Sequence, residues 1–196
     1  MIESEKKEKN NGVRVMRWMA FVLLVFGGIQ SSSSQTFFSL QAEVAEPTES
    51  FRNAAGTGFG LRGTYFHFIG GSFALTGSAG YVKWGPRVDF PPNNEFKIVS
   101  IPITMGAHLL LSRGVVSPYL GLSLGMSYLR IRGIASNSTL YNDSSELKFT
   151  FSPQVGVGIH IAGPVGLLLT GSYNIIYTPD SPSKFFGLNA GLALGL

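Results

Sequence analysis

The chain has 196 residues, with 15 Lys+Arg against 11 Asp+Glu, 25 Gly and no Cys. Charged residues are 13% of the total, about half of the roughly 25% usual in soluble domains. The lack of cysteine excludes a disulfide scaffold, a thiolate-ligated zinc or iron–sulfur centre and a thiol nucleophile. Mean hydropathy is +0.22, yet no apolar run reaches the roughly 18 to 20 residues of a membrane-spanning helix. A closed membrane β-barrel is among the few architectures left to such a chain.

Residues 1–17 hold Lys6, Lys7, Lys9, Arg14 and Arg17 against Glu3, Glu5 and Glu8. The apolar stretch Trp18-Met-Ala-Phe-Val-Leu-Leu-Val-Phe26 follows, then two glycines and a run of serines. A basic start, a short apolar centre and a small-residue zone are the parts of a secretory signal peptide. The expected division is therefore a signal peptide over 1–34, cleaved near Ser34, and a barrel over 35–196. Met16 is a candidate for the true translation start. An uncleaved amphipathic anchor is the alternative. The basic pI owes much to this segment, so it does not argue for nucleic-acid binding.

Beyond Gln35 the hydropathy pattern has a period of two, the mark of strands. Eight segments carry it: 36–45, 57–68, 72–84, 95–110, 117–132, 149–161, 165–177 and 185–196. In the sixth, Phe149, Phe151, Val155, Val157 and Ile159 alternate with Thr150, Ser152, Gln154, Gly156 and Gly158. Leu168 and Ile176 are exceptions, apolar residues on the otherwise small and polar face of the seventh. The segments suit tilted membrane crossings, which need about 9 to 11 residues. Connections alternate between long and short, as expected of surface loops and periplasmic turns. Pro102 falls inside a segment, where it removes a ladder donor, and predicts a bulge.

Alternation alone also fits a soluble β-sandwich or a lipocalin-like barrel. Two features count against these. The non-apolar face is Gly, Ser, Thr, Asn and Gln, with no Asp, Glu, Lys or Arg from Phe149 through Pro179; small polar groups suit a narrow lumen better than a solvated sheet. Aromatic residues near segment ends (Phe66, Phe68, Tyr81, Trp84, Tyr119, Tyr128, Tyr173, Tyr177, Phe185, Phe186) are expected to form interfacial girdles.

Three stretches, Ile101-Pro-Ile-Thr-Met-Gly-Ala-His108, Ser117-Pro-Tyr-Leu-Gly-Leu-Ser-Leu-Gly-Met-Ser-Tyr128 and Ser152-Pro-Gln-Val-Gly-Val-Gly-Ile159, together with the pattern over 36–196, resemble the small OmpA/OmpX-type outer-membrane β-barrels. The resemblance implies an all-β, eight-stranded, antiparallel, up-and-down transmembrane barrel in the outer membrane of a Gram-negative-type bacterium. It also implies outer-membrane lipid as surroundings, and barrel-assembly machinery and periplasmic chaperones as partners during biogenesis. The chain ends Leu194-Gly195-Leu196, whereas such proteins usually end in an aromatic residue read by that machinery.

The candidate site is the lumen. Gln41, Thr64, Ser100, Thr104, His108, Gln154, His160, Asn174 and Asn189 have inward parity. Glu43 and Arg62 share it and are expected to pair across neighbouring strands, either inside the lumen or solvated at the rim. His108 and His160 would act on a metal or proton only if they approached each other across a strand. His67 has outward parity. A lipid-modifying hydrolase would need a nucleophile, histidine and acid converging at one rim, and no spacing here supports one, His67-Phe-Ile-Gly-Gly-Ser72 crossing a turn. Gly56-Thr-Gly-Phe-Gly60 and Gly121-Leu-Ser-Leu-Gly125 lack the Lys-Ser/Thr ending and the helix of a phosphate loop. Eight strands enclose a space that side chains can fill, which disfavours a solute channel. The expected function is a monomeric, non-enzymatic surface or structural barrel using no cofactor, metal or nucleic acid. The stretch Tyr141-Asn-Asp-Ser-Ser-Glu146 reads as a solvated connection or an adhesive tip, and Asn137-Ser-Thr139 as a polar loop.

Overall fold

The computed structural model describes residues 36–86, 95–134, 141–178 and 182–195. Residues 1–35, with the expected signal peptide and Met16, lie outside these, as do Asn137-Ser-Thr139 and Leu196. Eight strands run β1 (Thr36–Thr48), β2 (Gly58–Phe68), β3 (Phe73–Trp84), β4 (Glu95–Leu110), β5 (Val116–Ile134), β6 (Tyr141–Ala162), β7 (Val165–Ile176) and β8 (Ser183–Gly195). Each pairs antiparallel with its neighbours, and β1 pairs with β8 to close the barrel. Closure leaves no sheet edge around the barrel wall, which a strand-built object in lipid requires.

Side-chain alternation follows the pleat. Along β1, Ser39, Gln41, Glu43 and Ala45 are buried while Leu40, Ala42 and Val44 are exposed. On β5, Leu120, Leu122, Leu124 and Met126 are exposed while Ser123 and Ser127 are buried. The exposed apolar side chains continue around the wall through Phe59, Leu61, Ile103, Leu188 and Leu192. A continuous apolar surface of this extent is a membrane or partner surface, not one that meets water. The barrel is thus inside out, with polar groups within and aliphatic groups without.

Short turns close one end. Gly70 has a φ of 71° and Gly163 one of 53°, left-handed values that favour glycine. The other end has longer connections, and here the structure departs from the sequence reading. The first connection holds a short helix, α1 (Glu49–Ala54), rather than loop alone. Residues Tyr141–Glu146 are not a loop either: they form the start of β6, paired with β5 as far as Ile134↔Tyr141. Backbone pairing suffices there without apolar alternation. The strands β4, β5 and β6, of 16, 19 and 22 residues, are the longest of the eight.

Pro102 causes no bulge. Its pairing Pro102↔Ser127 sits in an unbroken register, and the β3–β4 register is the same on both sides of it. Gly80 on β3 lies opposite, where even a Cβ would meet the Pro102 ring at an ordinary contact distance of 3.4 Å. The missing donor interrupts the β3–β4 pairing at Gly80 and Tyr81 without inserting a residue. The register shift in the β6–β7 pair lies instead between His160 and Ala162.

The closing seam depends on Gly191. A Cβ on it would stand 1.9 Å from the Leu40 carbonyl oxygen and 2.5 Å from the Gln41 Cα. Those atoms are backbone and cannot rotate away. Gly191→Val is expected to destabilise the folded barrel by at least roughly 1 to 3 kcal/mol, the usual cost of overpacking, measured by urea unfolding in detergent; an unchanged midpoint would contradict this seam geometry.

Candidate functional site: the lumen

The lumen has three layers, built from the inward-facing residues. At the loop end, Trp84 is wholly buried, with Phe51 of α1 at a ring-centroid distance of 5.4 Å and Phe185 of β8 at 5.0 Å. Its indole N–H donates to the Ala45 carbonyl at 3.2 Å. Val82, Ile98, Leu129 and Ile176 complete an apolar plug. At the turn end, Phe66, Tyr119 and Leu168 form a second plug, joined by Phe37, Phe68 and Leu110.

These plugs correct the girdle assignment. Phe66, Trp84, Tyr119 and Phe185 point inward and are buried, whereas Tyr81, Tyr128, Tyr177 and Phe186 are exposed. Parity separates the two groups: Trp84 shares its face with Thr76 and Ser78, while Tyr81 shares its face with Phe73. The signal was present in the sequence as apolar residues falling on the polar face, of which Leu168 and Ile176 were two. His67, of outward parity, is also buried.

Between the plugs lies a polar layer. Arg62 on β2 reaches Glu43 on β1: Nη2 donates to Oε1 at 3.0 Å and to Oε2 at 3.1 Å, and Nε donates to Oε2 at 3.2 Å. The carboxylate side chain is 0% exposed and the guanidinium side chain 7%. In the register Glu43 faces Gly60 and Gln41 faces Arg62, which makes the pair a diagonal one. Gly187 on β8 clears space for the carboxylate, since a Cβ there would stand 2.7 Å from Oε1.

Several other inward residues hydrogen-bond to one another, while Ser39 Oγ, His108 Nδ1 and Asn189 Oδ1 are buried without a partner. Gln41 Nε2 donates to Thr170 Oγ1 at 3.0 Å, and the Tyr119 hydroxyl lies 2.5 Å from the same oxygen. Ser152 donates to Asn174 Oδ1 at 2.7 Å, and Asn174 Nδ2 donates to Ser172 at 2.9 Å. Thr104 pairs with Ser78 at 2.7 Å. Gln154 Nε2 donates to Ser123 at 3.1 Å while its Oε1 lies 3.1 Å from His108 Nε2. A carbonyl oxygen can only accept, so His108 Nε2 carries the proton. Thr64, Ser100 and Asn189 are buried in the same layer.

His160 is a correction: it is exposed at the turn end of β6, beside the register shift that disturbs the inward parity there. His108 is buried, against Phe66 and Tyr119 at ring-centroid distances of 5.4 and 5.2 Å. The two histidines therefore do not share a site. Among the described residues no group of three or more His, Asp or Glu could hold a metal ion. Ser72 is exposed in the β2–β3 turn while His67 is buried. A cavity remains beside Gln41, Arg62, Thr64 and His108, with a volume of about 10 Å³, room for about one water.

This arrangement defines a class: the small, eight-stranded transmembrane barrel of the outer-membrane type, with a filled lumen. Solved structures place the fold further. The chain is similar to neisserial surface protein A at 21% identity and a TM-score of 0.60, covering 83% of this chain and 99% of that one. It is similar to Ail, the attachment invasion locus protein of Yersinia pestis, at 14% identity and a TM-score of 0.57, covering 83% and 99%. The outer membrane protein OprG of Pseudomonas aeruginosa matches at 9% identity and a TM-score of 0.52, covering 84% and 96%. At these identities the likeness is one of fold. No protein-family model matches the sequence, and no curated protein does.

Proposed function

We propose that this protein is a non-enzymatic, monomeric barrel of the bacterial outer membrane, exported by a cleaved signal peptide, that displays its long connections at the cell surface in a structural or surface-interaction role. The observation that carries this reading is the inversion of polarity: an aliphatic wall around a hydrogen-bonded polar lumen, closed at both ends by apolar plugs. Such a wall needs lipid around it, and such a lumen offers solutes no path. The functional surface is then the loop end, where β4, β5 and β6 are longest and where sequence can vary without disturbing the wall. Barrel-assembly machinery and periplasmic chaperones are the partners this biogenesis calls for, and no cofactor enters it.

Two measurements test the proposal. Folded protein run unheated on a denaturing gel should migrate differently from boiled protein, and in cells the chain should fractionate with the outer membrane and lose only loop segments to external protease. A chain recovered in the soluble fraction would overturn the reading. In planar bilayers the folded protein is expected to give no stable, size-selective conductance; a reproducible open level would show that the plugs do not close the lumen.

A further inference from the structure

We propose that α1 is a detachable lid on the loop-end mouth of the barrel, latched by the Glu49–Lys184 ion pair and able to leave the mouth while the barrel stays folded. Glu49, the first residue of α1, has a φ of 51°, the one positive value at a non-glycine among the described residues. A left-handed residue with a side chain is strained, and such strain collects in clamps and switching segments. No side-chain bond caps the helix at Thr48, and the Thr48 hydroxyl is buried without a hydrogen-bond partner. The six residues of α1 are also far fewer than the roughly 12 to 15 at which a helix holds by itself in water. The closed position is therefore set by what α1 touches. Phe51 is buried against Trp84 at a ring-centroid distance of 5.4 Å, and Lys184 Nζ on β8 donates to Glu49 Oε1 at 2.9 Å and to Oε2 at 2.7 Å.

The surroundings of α1 do not depend on it. The two arms of the connection are tied below the helix: Thr57 Oγ1 donates to Glu46 Oε2 at 2.8 Å, and the Gly56 amide donates to the Gly85 carbonyl at 3.1 Å. Trp84 is held by the wall, with its indole N–H on the Ala45 carbonyl of β1 and its ring against Phe185 of β8. Removing α1 from the mouth breaks the Phe51–Trp84 contact and the ion pair and leaves those ties in place. A helix so short unwinds once it loses its support, which frees the Ala55 amide from the Phe51 carbonyl it now reaches at 3.1 Å. Opening then bares Phe51 and the Trp84 ring on the loop side, while Val82, Ile98, Leu129 and Ile176 still fill the lumen beneath. The latch is the part that surroundings can tune. The Glu49 side chain is 56% exposed, and salt screens an ion pair this open.

The test is hydrogen exchange of the folded full chain in detergent micelles at fixed pH, read by NMR. A local opening speeds exchange only at the groups whose bonds it breaks. At low salt, Lys184→Gln should speed exchange of the Ala55 amide roughly two- to fivefold, what one exposed ion pair is worth. It should leave the Gly56 amide and the Trp84 indole N–H unchanged. Sodium chloride at about 1 M, where screening acts within about 3 Å, should speed Ala55 exchange in wild type by a similar factor and scarcely at all in Lys184→Gln. The reversed pair, Glu49→Lys with Lys184→Glu, should bring slow exchange back, which a role in packing alone would not do. Ala55 exchange unmoved by Lys184→Gln or by salt overturns the latch, as does a reversed pair that exchanges as fast as Lys184→Gln. Equal protection of the Ala55 amide, the Gly56 amide and the Trp84 indole N–H overturns the lid, because the mouth would then open only when the barrel does.

Discussion

Replacing Glu43 by Gln is expected to destabilise the folded barrel by roughly 3 to 5 kcal/mol, because it strands the Arg62 guanidinium in the lumen without its counter-charge. Three contacts join the pair, with Nη2–Oε1 at 3.0 Å, and water hardly reaches either group. Arg62→Gln should cost a similar amount by leaving a buried carboxylate. The double variant should cost less than the sum, since it strands neither charge, and the coupling in a double-mutant cycle is the quantity that reports the pair. The measurement is reversible urea unfolding in detergent or vesicles. Added salt should change the coupling little, because buried pairs are weakly screened. A coupling near zero would show that water reaches both groups. The exposed Lys184–Glu49 bridge is the natural comparison, and salt should weaken it.

Trp84→Ala should cost about 3 to 5 kcal/mol as well, by the transfer and cavity terms of a large buried aromatic. The indole is wholly buried, touches Phe51 and Phe185, and spends its N–H on Ala45. Its loss removes the centre of the loop-end plug and the surface on which α1 rests. The same unfolding experiment reads the effect. Gly58→Val is the converse test: a Cβ at Gly58 would stand 2.5 Å from the indole ring, so the bulk must displace Trp84 or fail to fit. If Trp84→Ala unfolds at the wild-type midpoint, the plug is not a packed element. A girdle tryptophan, facing lipid, would behave that way.

The sequence carried the barrel legibly because one physical rule, alternation on a pleat, repeats over every crossing. The turn geometry also transferred: antiparallel pairing about a first connection centred near Phe51 or Arg52 sets Glu43 opposite residue 60 or 61, and the structure pairs it with Gly60. What resisted reading was whatever parity did not decide. An aromatic residue near a strand end is apolar whether it faces lipid or plugs the lumen, so Trp84 and Tyr119 could be placed only by counting from Thr76 or Ser123 along their own strands. The upper part of β6 was missed because Asn142, Asp143, Ser144 and Ser145 carry no apolar alternation; Ser144 and Ser145, on opposite faces, are both exposed. Helix α1 has only six residues, too few for a period to emerge. Pro102 misled because a lost donor can interrupt the pairing locally, here at Gly80 and Tyr81, without shifting the register.

If the protein is an inverted barrel in a membrane, the even residues of β5 face lipid while the odd residues face a closed lumen. The chain contains no cysteine, so single cysteines can be placed at Leu120, Leu122, Leu124 and Met126, and at Ser123 and Ser127, and spin-labelled in protein reconstituted into vesicles. Collision rates with oxygen, which concentrates in lipid, and with a water-soluble nickel chelate should alternate with a period of two. High oxygen and low nickel access is expected at the four even positions, and little access to either reagent at Ser123 and Ser127. High nickel access at Leu122 and Leu124 would contradict it, placing that face in water and making the protein a soluble barrel.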